Sequence, residues 1–219
     1  MLNLLAVAPF DFKRIFGNIV SRWYFYLALV VFLVLLTVFC LVKKPERNAL
    51  STTQKLVYTA VLSALSFLAN LFTIKASDLL QISLVATVGF VGGYLLGAGY
   101  GFAAAFIGDF ICGIVAPFGA YNPIIGIGTG LWGFVPGVIF GSFKKGNSVI
   151  KTLISFAICF VLNSFVVNTL GLSLMYSMTF ESLLPLLPFK LITVAINCAV
   201  CVGLVVLLPK ILPRDKFFI

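Results

Sequence analysis

The chain has 219 residues, 62% hydrophobic and only 10% charged, with mean hydropathy +1.18; soluble domains carry roughly 25% charged residues, so this is a multi-pass membrane protein. About seven spans of about 20 residues each fit this length, which leaves no room for a separate soluble catalytic domain. The net charge of +9 sits in short basic clusters between apolar runs, as in cytoplasmic loops, so a nucleic-acid partner is excluded; with no histidine and no glycine loop ending in Gly-Lys-Ser/Thr, nothing here hydrolyses a nucleotide.

In chain order, residues 1–21 place Phe12, Ile15, Phe16 and Ile19 at helical spacing beside Asp11, Lys13 and Arg14, the pattern of a short helix in the membrane interface. The charges follow the first apolar residues and no small-residue cleavage site ends the next run, so this is not a cleavable signal. Residues 23–42 read as an extra transmembrane helix entered through Trp23, Tyr24 and Tyr26, and Lys43, Lys44, Arg47 and Lys55 make a basic linker. The expected organisation is therefore an appendage over residues 1–49 and an all-α core of six membrane helices over residues 50–219.

The six core spans are expected at 56–74, 79–96, 98–115, 124–142, 151–171 and 186–208. Placing the linker inside puts Lys43, Lys44, Arg47, Lys55, Lys144, Lys145, Lys151, Lys210, Arg214 and Lys216 in the cytoplasm and leaves Lys75 and Lys190 opposite. The bias of basic residues toward the inner face thus sets both ends of the core inside. Crossing once more at residues 23–42 leaves Lys13, Arg14 and Arg22 outside; either the stronger bias of the core overrides that cost, the preferred reading, or residues 23–42 do not cross simply.

Between Gly89 and Gly141 lie 15 of the chain's 19 glycines. Without water between them, membrane helices associate through close backbone approach, which small residues four apart permit. One register is Gly89, Gly93, Gly97 and Gly101; another is Gly133, Gly137 and Gly141. These serve packing within the bundle or, for Gly133, Gly137 and Gly141, a docking face for another membrane protein; Ala60 and Ala64 make a similar small stripe in the first core span. Within the same glycine-rich stretch stands Asp109, and an ionisable group at membrane depth costs about 2.5 kcal/mol or more, which marks it as a site candidate.

With this orientation the polar residues converge near the outer face. Asn70 ends the first span, Gln81 begins the second, Asp109 lies in the outer half of the third, and Tyr121 and Asn122 occupy the next outer loop. Thr129 and Trp132 lie in the outer half of the fourth span, Asn168 approaches the outer end of the fifth, and Lys190 begins the sixth. Their joint placement predicts an outward-facing pocket with an aromatic wall, suited to a small polar ligand. Cys198-x-x-Cys201 lacks the two further soft ligands a metal site needs, and no metal or cofactor is expected.

Residues 50–213 resemble the substrate-binding S component of an energy-coupling factor (ECF) vitamin transporter. The resemblance rests on Ala60-x-x-x-Ala64, Gly108-Asp109-Phe110, the loop Phe118-Gly119-Ala120-Tyr121-Asn122-Pro123, and Val167-Asn168-Thr169-Leu170-Gly171-Leu172. The last of these, with the run Leu184 to Leu191, is most similar to the folate-specific branch. The resemblance implies a six-helix bundle that captures a vitamin from outside and docks through Ala60 and Ala64 on a transmembrane coupling protein driven by two cytoplasmic ATPases. Folate-type members usually carry arginine where this chain has Trp132, and again where it has Lys190; lysine pairs an anion without arginine's bidentate fork, which bears on the ligand's identity. The alternatives are a membrane-embedded lipid-modifying enzyme, which wants a second acid or a histidine beside Asp109, and a stand-alone secondary carrier, which usually shows an inverted repeat.

Overall fold

The structure is a computed structural model and describes residues 49–75, 81–115, 122–143, 146–168, 170–172, 184–213 and 217. The expected extra transmembrane helix and interfacial segment lie outside the described residues, as does Tyr121. Helix α1 (Thr52–Leu71) opens on a capping box: Ser51 Oγ accepts from the Gln54 N–H at 3.3 Å and Gln54 Oε1 from the Ser51 N–H at 3.0 Å, which satisfies two otherwise orphan donors. Its polarity is inverted relative to a soluble helix. Thr59, Ser63 and Ser66 are buried while Leu56, Val57, Val61, Leu65 and Leu68 are exposed, because the hydroxyls find backbone acceptors, as Ser63 does on Thr59, and the outer face meets lipid.

The second expected span is shortened. Helix α2 (Val85–Leu96) has 12 residues, roughly 18 Å at 1.5 Å per residue, and its expected outer part forms an antiparallel pair of two-residue strands, β1 (Ile74–Lys75) and β2 (Gln81–Ile82). Ser83 makes the break: its hydroxyl donates to the Ala69 carbonyl and accepts from the Val85 N–H, both at 3.3 Å. Gly97, with φ of +96°, is a one-residue joint between α2 and α3 (Ala98–Val115), a conformation open chiefly to glycine. The register Gly89–Gly101 therefore does not run along one helix: it turns at Gly97.

Helix α4 (Pro123–Ser142) is the most buried of the long apolar helices. Asn122 caps it, accepting from the N–H groups of Ile124 and Ile125, and Nδ2 of the same side chain donates to the Gly171 carbonyl at 3.0 Å. Contact among α2, α3 and α4 is backbone to backbone. A Cβ on Gly93 would overlap the Gly133 carbonyl, one on Gly133 the Gly101 carbonyl, and one on Gly137 the Ala98 backbone. Gly133 and Gly137 are thus consumed inside the bundle, which corrects their expected place on a docking face; Gly141, at the end of the helix, is half-buried.

Helix α5 (Ser148–Val161) continues as a π-helix over Leu162–Val167, and a 3-10 turn at Leu184–Leu186 leads into α6 (Leu187–Ile211). Helices α3, α4, α6 with its leading turn, and α5 with its π extension are each long and apolar enough to cross a membrane. Around the lower half of the bundle Phe90, Tyr94, Phe140, Phe156, Cys201 and Val205 form a dense cluster, with Tyr94 and Phe140 edge-to-face at 4.8 Å. Cys201 is buried in this cluster and Cys198 packs against it, so the pair fills core volume.

Candidate functional site

The end of the bundle opposite Lys55, Lys151 and Lys210 contains a cavity of about 540 Å³, within the range of about 300–1,000 Å³ typical of small-molecule sites. Five helices build it: the C-terminal end of α1, the N-terminal ends of α2, α4 and α6, and the C-terminal end of α5 with its π turn. This concentration at one end follows from where the polar residues fall along each span. Trp132, Phe160 and Phe189 supply flat walls, and Lys190 is the only cation among its described lining residues. No described acid lines it. Trp132 packs on Phe156 with ring centroids 5.2 Å apart, and through Phe156 on the aromatic cluster below, so the cavity is stopped toward the basic end.

Two amides stand at its rim and base. Asn70 Nδ2 donates to Asp109 Oδ1 at 2.9 Å, and the Thr129 hydroxyl donates to the Ile125 carbonyl at 3.3 Å. Asp109 therefore ties α3 to α1 at Asn70, a residue that lines the cavity. Asn197, 1% exposed, is fully engaged: Oδ1 accepts from the Thr87 N–H and hydroxyl, while Nδ2 donates to the carbonyls of Ser83 and Thr193 at 2.8 and 2.9 Å. This clamp fixes the first turn of α2 against α6. Without it the N-terminal end of α2, which lacks a side-chain cap at Leu84, would leave buried groups unpaired.

Residues 50–214 match the family model described as ECF-type riboflavin transporter, S component. The chain belongs to the S-component family of ECF transporters. No curated protein matches this S component. Among solved structures it is similar to the crystal structure of FolT bound with folic acid, with a TM-score of 0.61 and 20% identity over 71% of this chain and 96% of that one; at that identity the likeness shows a shared fold. The family consists of transporter subunits, not enzymes.

Of the residues expected at the site of this S component, Asn70, Thr129, Trp132, Asn168 and Lys190 line one cavity. Asp109 does not; it accepts a hydrogen bond from Asn70, which does. Asn122 is a correction: it is buried at 7% exposure with its amide spent on the α4 cap and the Gly171 carbonyl, because its position just before Pro123 at a helix start needs an acceptor there. Gln81 lies in β2 at the same end of the bundle, and Tyr121 lies outside the described residues. Sequence reasoning missed Asn163, Ser164 and Asn197, all lining the cavity. On an ideal α-helix Asn163 and Asn168 fall roughly 140° apart, so a helical wheel separates them; the π turn reunites them.

Proposed function

We propose that this S component captures a folate-like, water-soluble vitamin at the outer face of the cell membrane for ATP-driven uptake through partner subunits. The observation that carries it is the cavity: flat aromatic walls for a ring, neutral amides for its edges, one cation at Lys190, and a plug below. The basic residues at the opposite end of the bundle support placing that end in the cytoplasm, so the mouth faces outward. In this reading residues 50–219 form a six-helix binding unit and residues 1–49 an appendage with one further transmembrane helix. Docking on the transmembrane coupling protein, itself driven by two cytoplasmic ATPases, falls to the exposed Ala60 and Ala64 on α1, with Gly141 at the inner end of α4.

A second reading, a flavin, is favoured by the family description and by the single lysine, since folate brings two carboxylates and a flavin's tricyclic ring needs stacking more than cations. Equilibrium binding of labelled folic acid and riboflavin to the purified full chain separates the two. Tight binding of folic acid supports the first reading and of riboflavin the second; absence of tight binding across a panel of water-soluble vitamins would falsify both.

A further inference from the structure

Asn163 is 8% exposed and lines the cavity, yet its Nδ2 has no hydrogen-bond partner, the only such buried side-chain atom among the described residues. Its neighbours show how the amide is accommodated beside the cavity. Position 128 on α4 is glycine, and a Cβ there would overlap Asn163 Oδ1 and press within 2.8 Å of Val167 Cγ1, so Gly128 makes room for the amide. The backbone is also altered locally: the Asn168 N–H bonds the Asn163 carbonyl, an i to i−5 bond that stacks two asparagines on one face, where an α-helix would turn them apart. π turns recur at functional sites. A buried amide donor left open costs stability, and here a glycine opposite and a widened turn in its own helix both accommodate it.

We infer that Asn163 is a ligand-reading residue: its Nδ2 donates to a ring carbonyl or imine nitrogen of a flat heteroaromatic ligand lying against Trp132 and Phe160, one turn deeper than Asn168. This rests on the vitamin-capture reading and deepens it by naming the chemistry the ligand must present: an acceptor on the ring edge that enters deepest, with any anionic group left for Lys190 at the start of α6. A ligand whose inner edge carries only donors is disfavoured, because Nδ2 then stays unpaired.

The test uses the full-length protein with Asn163→Leu and Asn163→Asp, both close in size to the native side chain. Titration with folic acid and riboflavin is paired with thermal melting of each unliganded protein. For whichever vitamin the wild type binds, both variants are expected to weaken affinity about tenfold or more, while unliganded Asn163→Leu melts at or above the wild-type temperature because the open donor is gone. Affinity within twofold of wild type for both variants overturns the inference, and so does a fall in the melting temperature of unliganded Asn163→Leu, which means the amide serves the fold. If the wild type binds neither these two nor any other vitamin of the panel, the capture reading is the one struck, and the melting comparison still decides whether Asn163 is held open or is part of the packing.

Discussion

Lys190 and Asn122 are both polar residues near the same end of the bundle, and sequence alone gives them the same standing. Their surroundings divide them. Lys190 reaches a cavity whose other described lining groups are neutral, so Lys190→Met is expected to weaken binding of an anionic vitamin by at least tenfold while leaving the melting temperature within a degree or two, measured by titration and calorimetry on the same preparation. Asn122 spends its amide on a helix start and a cross-helix carbonyl. Asn122→Ala should therefore do the reverse: it lowers stability by about 1 kcal/mol, the usual worth of an N-cap, and leaves affinity unchanged once the protein is folded. Asp109 is intermediate between them. Its position in the oily third span singles it out in the sequence, but its partner was not legible there, because a carboxylate facing a ligand and one facing Asn70 have the same neighbours in sequence.

At the scale of elements, the glycines divide by what stands opposite. Gly133 faces the Gly101 carbonyl with no side chain to yield, so Gly133→Ala forces α3 and α4 apart and is expected to cost about 1–3 kcal/mol, as overpacking does. Gly203, midway along α6, has nothing within 4 Å of a built Cβ; Gly203→Ala is expected to be neutral or to stabilise by about 0.5–1 kcal/mol through backbone entropy. Melting both variants in detergent checks the pair, and equal effects would contradict the assignment of close packing to the α2–α3–α4 face. Apart from the start of α2, the helix ends were readable from apolar runs to within about a turn. The hairpin before α2 was not, because Ser83 breaks the helix through a contact with Ala69 on another element. The π turn was not either: Leu162–Val167 has an ordinary helical composition, and its register depends on what α4 presents at Gly128.

For the whole molecule, the division of labour between the two ends is the testable feature. A ligand that binds only the folded bundle stabilises it by about 2.7 kcal/mol at a hundredfold excess over Kd, so the cognate vitamin raises the melting temperature and a vitamin that does not fit leaves it alone. Ala60 and Ala64 lie on the exposed, lipid-facing side of α1, away from the cavity. Replacing both with tryptophan is expected to preserve vitamin binding by the isolated chain and to abolish uptake in cells that supply the coupling protein and its ATPases. Uptake at the wild-type level would place the docking face elsewhere.

Composition and the order of apolar runs were enough to establish a multi-pass helical bundle, its orientation bias and the end at which polar groups gather, since each of these depends on the transfer of single residues between water and lipid. Which of those polar groups open onto a cavity, which glycines are spent on backbone contact, and that Asn163 joins Asn168 on one face were decided only by tertiary structure. The reason is that a hydrogen bond or a close approach needs two partners, and in this chain the partners come from helices 30 to 110 residues apart, as Asn70 with Asp109 and Thr87 with Asn197 show.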